Sequence, residues 1–145
     1  MNLRITNSTA SPSVKAHATG RWAETICRVL GTRAAKRWKF VSFRGGNGGE
    51  WRGVVDVLAI RKSTAQPPDG DLKRGDLFDI ILIQVKGGSA RGPNASDCAR
   101  LRKVARRYRA RAIAQFQWRK GDSSLFFVLG RGTDWEPIKP AELFR

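Results

Sequence analysis

Phe78-Asp79-Ile80-Ile81-Leu82-Ile83-Gln84-Val85-Lys86-Gly87-Gly88 is the stretch whose reading decides the fold. Its apolar run is bounded by Asp79 and a glycine pair and is shorter than a typical helix, so it reads as one buried strand. Side chains alternate across a sheet. Ile80, Leu82, Gln84 and Lys86 therefore share one face, while Asp79, Ile81, Ile83 and Val85 share the other. An amide and a lysine closing a core strand on one face need partners, and the flanking sequence supplies candidates.

Upstream, residues 51–60 contain Val54, Val55, Val57, Leu58, Ala59 and Ile60, interrupted by the single carboxylate of Asp56. This is the expected second strand. An ionised carboxylate in a core strand is costly unless it is paired or metal-bound, so Asp56 should meet a cation, either a divalent metal or an arginine such as Arg52. Residues 63–75, with Gln66-Pro67-Pro68-Asp69-Gly70, read as a polar hairpin connection to the third strand. Pairing of the two strands would bring Asp56 beside Gln84 and Lys86. Asp79 lies about 23 Å from Lys86 along a strand rising about 3.3 Å per residue and is left out of the constellation.

Further upstream, Trp38-Lys39-Phe40-Val41-Ser42-Phe43 alternates as a first strand, and Gly45-Gly46-Asn47-Gly48-Gly49 suits a hairpin loop. No Gly-Lys-Ser/Thr follows, which excludes a P-loop. Residues 15–30 show a helical stripe of Ala23, Ile26, Cys27 and Leu30, ended by Gly31. Glu24 stands at the margin of that stripe, and Gly20, one turn earlier, leaves room for close approach to it. Residues 1–14 carry little apolar periodicity and read as a loose arm.

Downstream of Lys86, a turn through Gly92-Pro93 leads into an expected helix over residues 96–110 with Asp97 in its first turn. Cys98, Leu101, Ala105 and Tyr108 form its buried stripe. Arg100, Arg102, Lys103, Arg106, Arg107 and Arg109 populate the other face, and no acidic residue occurs between Asp97 and Asp122. Solvated helix faces usually mix charges, so this one is read as a phosphate-contacting face. Residues 112–118 and 125–129 read as two more strands joined at Lys120-Gly121-Asp122, with a tail carrying Trp135, Pro137, Ile138, Leu143 and Phe144 that packs back.

A chain of 145 residues suffices for one domain, here residues 15–145. Its 28 Lys and Arg against 12 Asp and Glu give a formal charge of +16, which points to a polyanionic partner, nucleic acid first and an anionic membrane surface second. No apolar run approaches the ~20 residues of a membrane span and no signal-peptide layout is present, so the expected location is cytoplasmic. Cys27 and Cys98 both fall on helix stripes and read as reduced core residues. With His17 the sole histidine, four soft zinc ligands cannot be assembled.

The constellation resembles the PD-(D/E)XK nuclease superfamily. The resemblance covers residues 20–108 and rests on Gly20-Arg21-x-x-Glu24, Gly53-Val54-Val55-Asp56, and Gln84-Val85-Lys86 followed by a basic helix. It implies an α/β fold with a restriction-endonuclease-like core, a mixed central sheet flanked by helices in the order α-β-β-β-α-β-β. It further implies that Asp56 and Gln84 hold a divalent metal, that Lys86 positions or activates water, that Glu24 is a supporting carboxylate, and that the backbone carbonyl of Val85 is a further ligand. Valine stands where the family has proline, and glutamine stands where a second acid is expected. An amide keeps an oxygen donor but removes one negative charge, so metal affinity should fall. Mg²⁺ suits such an all-oxygen site, with Mn²⁺ as a substitute.

The expected activity is Mg²⁺-dependent hydrolysis of DNA phosphodiester bonds by an endonuclease, for which a homodimer would suit two-strand cutting. Two alternatives stand beside it: a catalytically silent nucleic-acid-binding module using the helix at residues 96–110, and an RNA-associated structural protein using the same helix. All three bind more weakly as salt rises, because released counterions drive association.

Overall fold

The computed structural model describes residues 25, 27–29, 33, 36–43, 53–87, 92–118 and 125–145. The expected arm, the glycine loop at 45–49, the turn at 120–122, Arg52 and Glu24 lie outside the described residues. Thr25, Cys27, Arg28 and Val29 are helical, as the first-helix reading requires, but Arg33 is helical too, so helical backbone occurs beyond Gly31, the expected end of that helix.

The strands are β1 (Lys39–Ser42), β2 (Val57–Lys62), β3 (Phe78–Gly87), β4 (Ala112–Trp118), β5 (Leu125–Leu129) and β6 (Trp135–Ile138). Helix α1 (Ala95–Tyr108) connects β3 to β4, and a short α2 (Pro140–Leu143) ends the chain. The six strands form one sheet in sequence order, antiparallel throughout except for the parallel pair β3–β4. Only a crossover lets consecutive strands run parallel, and α1 supplies it.

The expected fold class of an α/β domain with a mixed sheet therefore stands, but the element order does not end at the fifth strand. Trp135–Ile138 adds an edge strand and Pro140–Leu143 a final helix. Pro137, which has no N–H to offer a further neighbour, is compatible with an edge strand and not with a central one. The second strand is also shorter than read: it begins at Val57, because residues 53–56 bend away from the ladder. Between β2 and β3 the chain reverses through a loop closed by Ser63 N–H donating to Leu77 O and turned at Gly75, φ 92°.

Both faces of the sheet are covered. Ile81, Ile83, Val57, Ala59, Ala114, Phe116 and Phe126 pack with Cys27, Trp38, Leu143 and Phe144 on one side. Trp38 Nε1 donates to Phe144 O at 2.8 Å, so the C-terminal turn is tied to the first strand's entry. On the other side, Leu101 packs with Ile113, Val54 and the half-buried Val104, Ala105 and Trp135. Cys27 and Cys98 are both buried, in keeping with their reading as core residues.

Helix α1 starts where the sequence says it should. Asn94 caps it, accepting from Asp97 N–H while the Asp97 carboxylate accepts from Asn94 N–H. Its end corrects one expectation: Tyr108 is 63% exposed rather than part of the buried stripe. Arg109 adopts φ 52° and ends the helix, and Arg111 N–H meets Ile80 O just before β4. Phe116→Ala should cost about 3–5 kcal/mol in denaturant unfolding, whereas Tyr108→Ala should stay within about 0.5 kcal/mol.

Candidate active site

The site forms where β2 leaves β3. Along the antiparallel ladder Leu58 pairs with Leu82 and Val57 with Ile83, and Asp56 is the next residue of the chain beyond that last pair. The regular ladder stops there. Asp56 N–H still donates to Ile83 O at 3.0 Å, but the next acceptor for β3 is a side chain: Val85 N–H donates to Asp56 Oδ2 at 2.7 Å. The carboxylate thus takes the place of a strand carbonyl, which fixes it against β3 between Gln84 and Lys86. N–H and C=O of one strand residue face the same neighbour, so the Val85 carbonyl is directed to the edge that β2 has vacated.

The β3–β4 pairing builds the other half. Gln84 is the register partner of Gln115 and Lys86 of Gln117, so all four belong to the α1 face of the sheet. They occupy the C-terminal ends of a parallel strand pair, the end from which α1 departs, and that is where open α/β sheets commonly place ligand sites. Two buried polar atoms there lack a hydrogen-bond partner: Gln84 Oε1 and Gln115 Nε2. Gln115 is 1% exposed, and its Oε1 accepts from Gln117 Nε2 at 2.8 Å. Native proteins satisfy nearly all buried polar atoms, so such exceptions call for an occupant or a function.

The structure places the Asp56 carboxylate on Val85 N–H, and Gln84 and Lys86 are the residues on either side of Val85 in β3. Glu24 lies outside the described residues. Asp79 is engaged elsewhere: Arg61 Nε meets its Oδ2 at 2.9 Å, with the Arg61 guanidinium 4.5 Å from the centre of the Trp38 ring. Among the described residues, no three of His, Cys, Asp and Glu gather as a metal cluster.

The basic helix divides into two groups. Arg100, Lys103, Arg106, Arg107 and Arg109 are exposed, Arg100 with a loose contact to Asp97 at 3.8 Å. Arg102 is different. Its Nη2 donates to the carbonyls of Gly130 and Gly132, so it ties α1 to the β5–β6 turn. An arginine spent on backbone carbonyls is a structural clasp, a role that charge periodicity alone cannot distinguish from phosphate contact.

Gln115, Gln117 and Gly92 were not singled out by the sequence. A signal for the first two existed: Ile113, Gln115 and Gln117 repeat on β4 the apolar-to-polar alternation of Leu82, Gln84 and Lys86 on β3. Gly92 carried no comparable mark, because only the folded chain sets it beside Gln115 and Lys86. No family model matches the chain, and no curated protein matches it significantly. Asp56→Ala should accelerate amide hydrogen exchange at Val85, while Asp56→Asn, which keeps an oxygen acceptor, should leave most of the protection in place.

Proposed function

We propose that this protein is a metal-dependent nuclease that hydrolyses DNA phosphodiester bonds, with Asp56, Gln84 and Lys86 as its catalytic residues. The observation that carries this reading is the juxtaposition of a carboxylate pinned at Val85 N–H with a buried amide oxygen, Gln84 Oε1, that has no hydrogen-bond partner. A buried oxygen left without a donor is costly as it stands and becomes favourable beside a cation. Oxygen donors from a carboxylate, an amide and a backbone carbonyl are the hard set that Mg²⁺ or Mn²⁺ prefers. Asp56, Gln84 and the Val85 carbonyl would hold the ion, with Glu24 as a supporting carboxylate.

When bound, the cation supplies Lewis-acid stabilisation of phosphoryl charge and acidifies water. The chain's own residues do the rest. Val85 N–H fixes the rotamer of Asp56, so the carboxylate needs no reordering when substrate arrives. Lys86 places a positive charge at the end of β3, where negative charge grows on the phosphoryl oxygens. Water adds to phosphorus, the bond from phosphorus to the leaving oxygen breaks, and a proton from the water ends on that oxygen. Arg100, Lys103, Arg106, Arg107 and Arg109 would hold flanking phosphates without reading sequence.

The order β1-β2-β3-α1-β4-β5 runs on into β6 and α2 and so differs from the one the PD-(D/E)XK resemblance implies; what supports that family as the proposed origin of the site is Asp56 just ahead of β2 and Lys86 near the end of β3. The formal charge of +16 supports a nucleic-acid substrate. A second reading, a nucleic-acid-binding module that does not cut, is favoured by one specific observation: an amide, not an acid, stands two residues before Lys86. Among the described residues no helix is long and apolar enough to cross a membrane.

Cleavage separates the two readings. Purified protein should nick or cut duplex, single-stranded or branched DNA with Mg²⁺ or Mn²⁺ and stop on addition of EDTA, while Asp56→Ala and Lys86→Ala should each lose about 100-fold or more, the usual scale for one transition-state contact. Gln84→Glu should raise metal affinity. Binding by wild type without cutting under either metal would establish the silent module instead.

A further inference from the structure

We propose that Gln115 Nε2 and Lys86 Nζ together form an oxyanion site for a non-bridging oxygen of the DNA phosphodiester, bordered by Gly92. The identity of the phosphate rests on the nuclease reading above. The anion site rests on three observations of its own.

Gln115 is a buried amide whose two ends are unlike. Its oxygen is held by Gln117 Nε2, and its nitrogen has no acceptor. Leaving that donor stranded costs roughly 1–3 kcal/mol, which an anion would recover. Lys86 makes no ion pair among the described residues, although it sits in a sheet whose other buried-side cation, Arg61, is neutralised by Asp79.

The two nitrogens converge on one place. A Cβ built on Gly92 would lie 3.4 Å from Gln115 Nε2 and 3.7 Å from Lys86 Nζ. Gly92 is itself exposed, and Gln115 Nε2 is buried beneath it. A cationic donor beside a neutral donor that lacks an acceptor makes a recognition site for a singly charged oxygen. The β4 side of the site would then serve the anion with nitrogens, as the β2 side serves the cation with oxygens. Gln84 Oε1 and Gln115 Nε2, paired in register and both unsatisfied, mark the border between the two halves.

Inorganic phosphate is the direct probe. Titrated into the full chain in EDTA, it should shift the Gln115 side-chain amide in ¹H–¹⁵N spectra saturably. Gly92→Val, a change at an exposed position, and Gln115→Leu, which removes the amide, should each weaken that binding at least tenfold, while Lys73→Ala, in the exposed loop between β2 and β3, should leave it unchanged. With Mg²⁺ and DNA, Gln115→Leu should slow single-turnover cutting at least tenfold with little change in DNA affinity. A Gln115 amide unmoved by phosphate, or unaltered phosphate affinity in Gly92→Val, overturns the anion site. If wild type cuts and Gln115→Leu cuts equally fast, the anion site fails and the nuclease reading stands. If wild type never cuts yet phosphate still saturates Gln115, the nuclease reading fails and the anion site stands.

Discussion

The hydrogen bond from Val85 N–H to the Asp56 carboxylate is the constraint on which the site depends. A strand that leaves its neighbour strands the neighbour's amides, and a buried amide without an acceptor is costly. Asp56 resolves this by offering its side chain where a carbonyl would have been. Ladder termination and carboxylate placement are thus one event: β2 can leave β3 there because Asp56 is there. The departure also exposes the edge of β3 at Val85, where a backbone carbonyl becomes available to a ligand. Local interruptions of a sheet recur beside functional sites for this reason, since they re-aim a side chain without disturbing the rest of the ladder.

What the interruption exposes is set by the parallel pair. Below Leu82 and Ile113 the α1 face is apolar and packs against Leu101. Above them it turns polar through Gln84, Lys86, Gln115 and Gln117. The helix covers the apolar half and leaves the polar half at the sheet's end. Arg102 holds that cover in place from its other side by binding the carbonyls of Gly130 and Gly132. The opposite face is apolar to the ends of β3 and β4, with Val85 and Phe116 packed in the larger core. One face stabilises the sheet, and the other is free to end in chemistry.

The alternation of β3 was legible because a two-residue period leaves little freedom: once the stretch is a strand, Gln84 and Lys86 must share a face. Asp56 was legible because a lone carboxylate in a valine-rich run has few affordable explanations. The start of β2 was not, since Val54 and Val55 have the composition of a strand and only the tertiary departure at Asp56 takes them out of one. Tyr108 misled for a similar reason: its spacing fits the buried stripe, but the left-handed Arg109 ends the helix beyond the sheet. Arg102 and its neighbours are alike in sequence and differ only in what lies opposite. Gly92 is the least legible of all, because its nearness to Gln115 and Lys86 arises only once β3 and β4 pair.

The central claim is that Asp56 and Gln84 hold a divalent cation beside Val85. Mn²⁺ tests it most directly through paramagnetic broadening of ¹H–¹⁵N signals in the full chain. Substoichiometric Mn²⁺ should selectively broaden the Gln84 side-chain amide and the Val85 backbone amide, and Asp56→Ala should abolish the effect. Broadening that spares Gln84 and Val85, or persists unchanged in Asp56→Ala, would contradict the account.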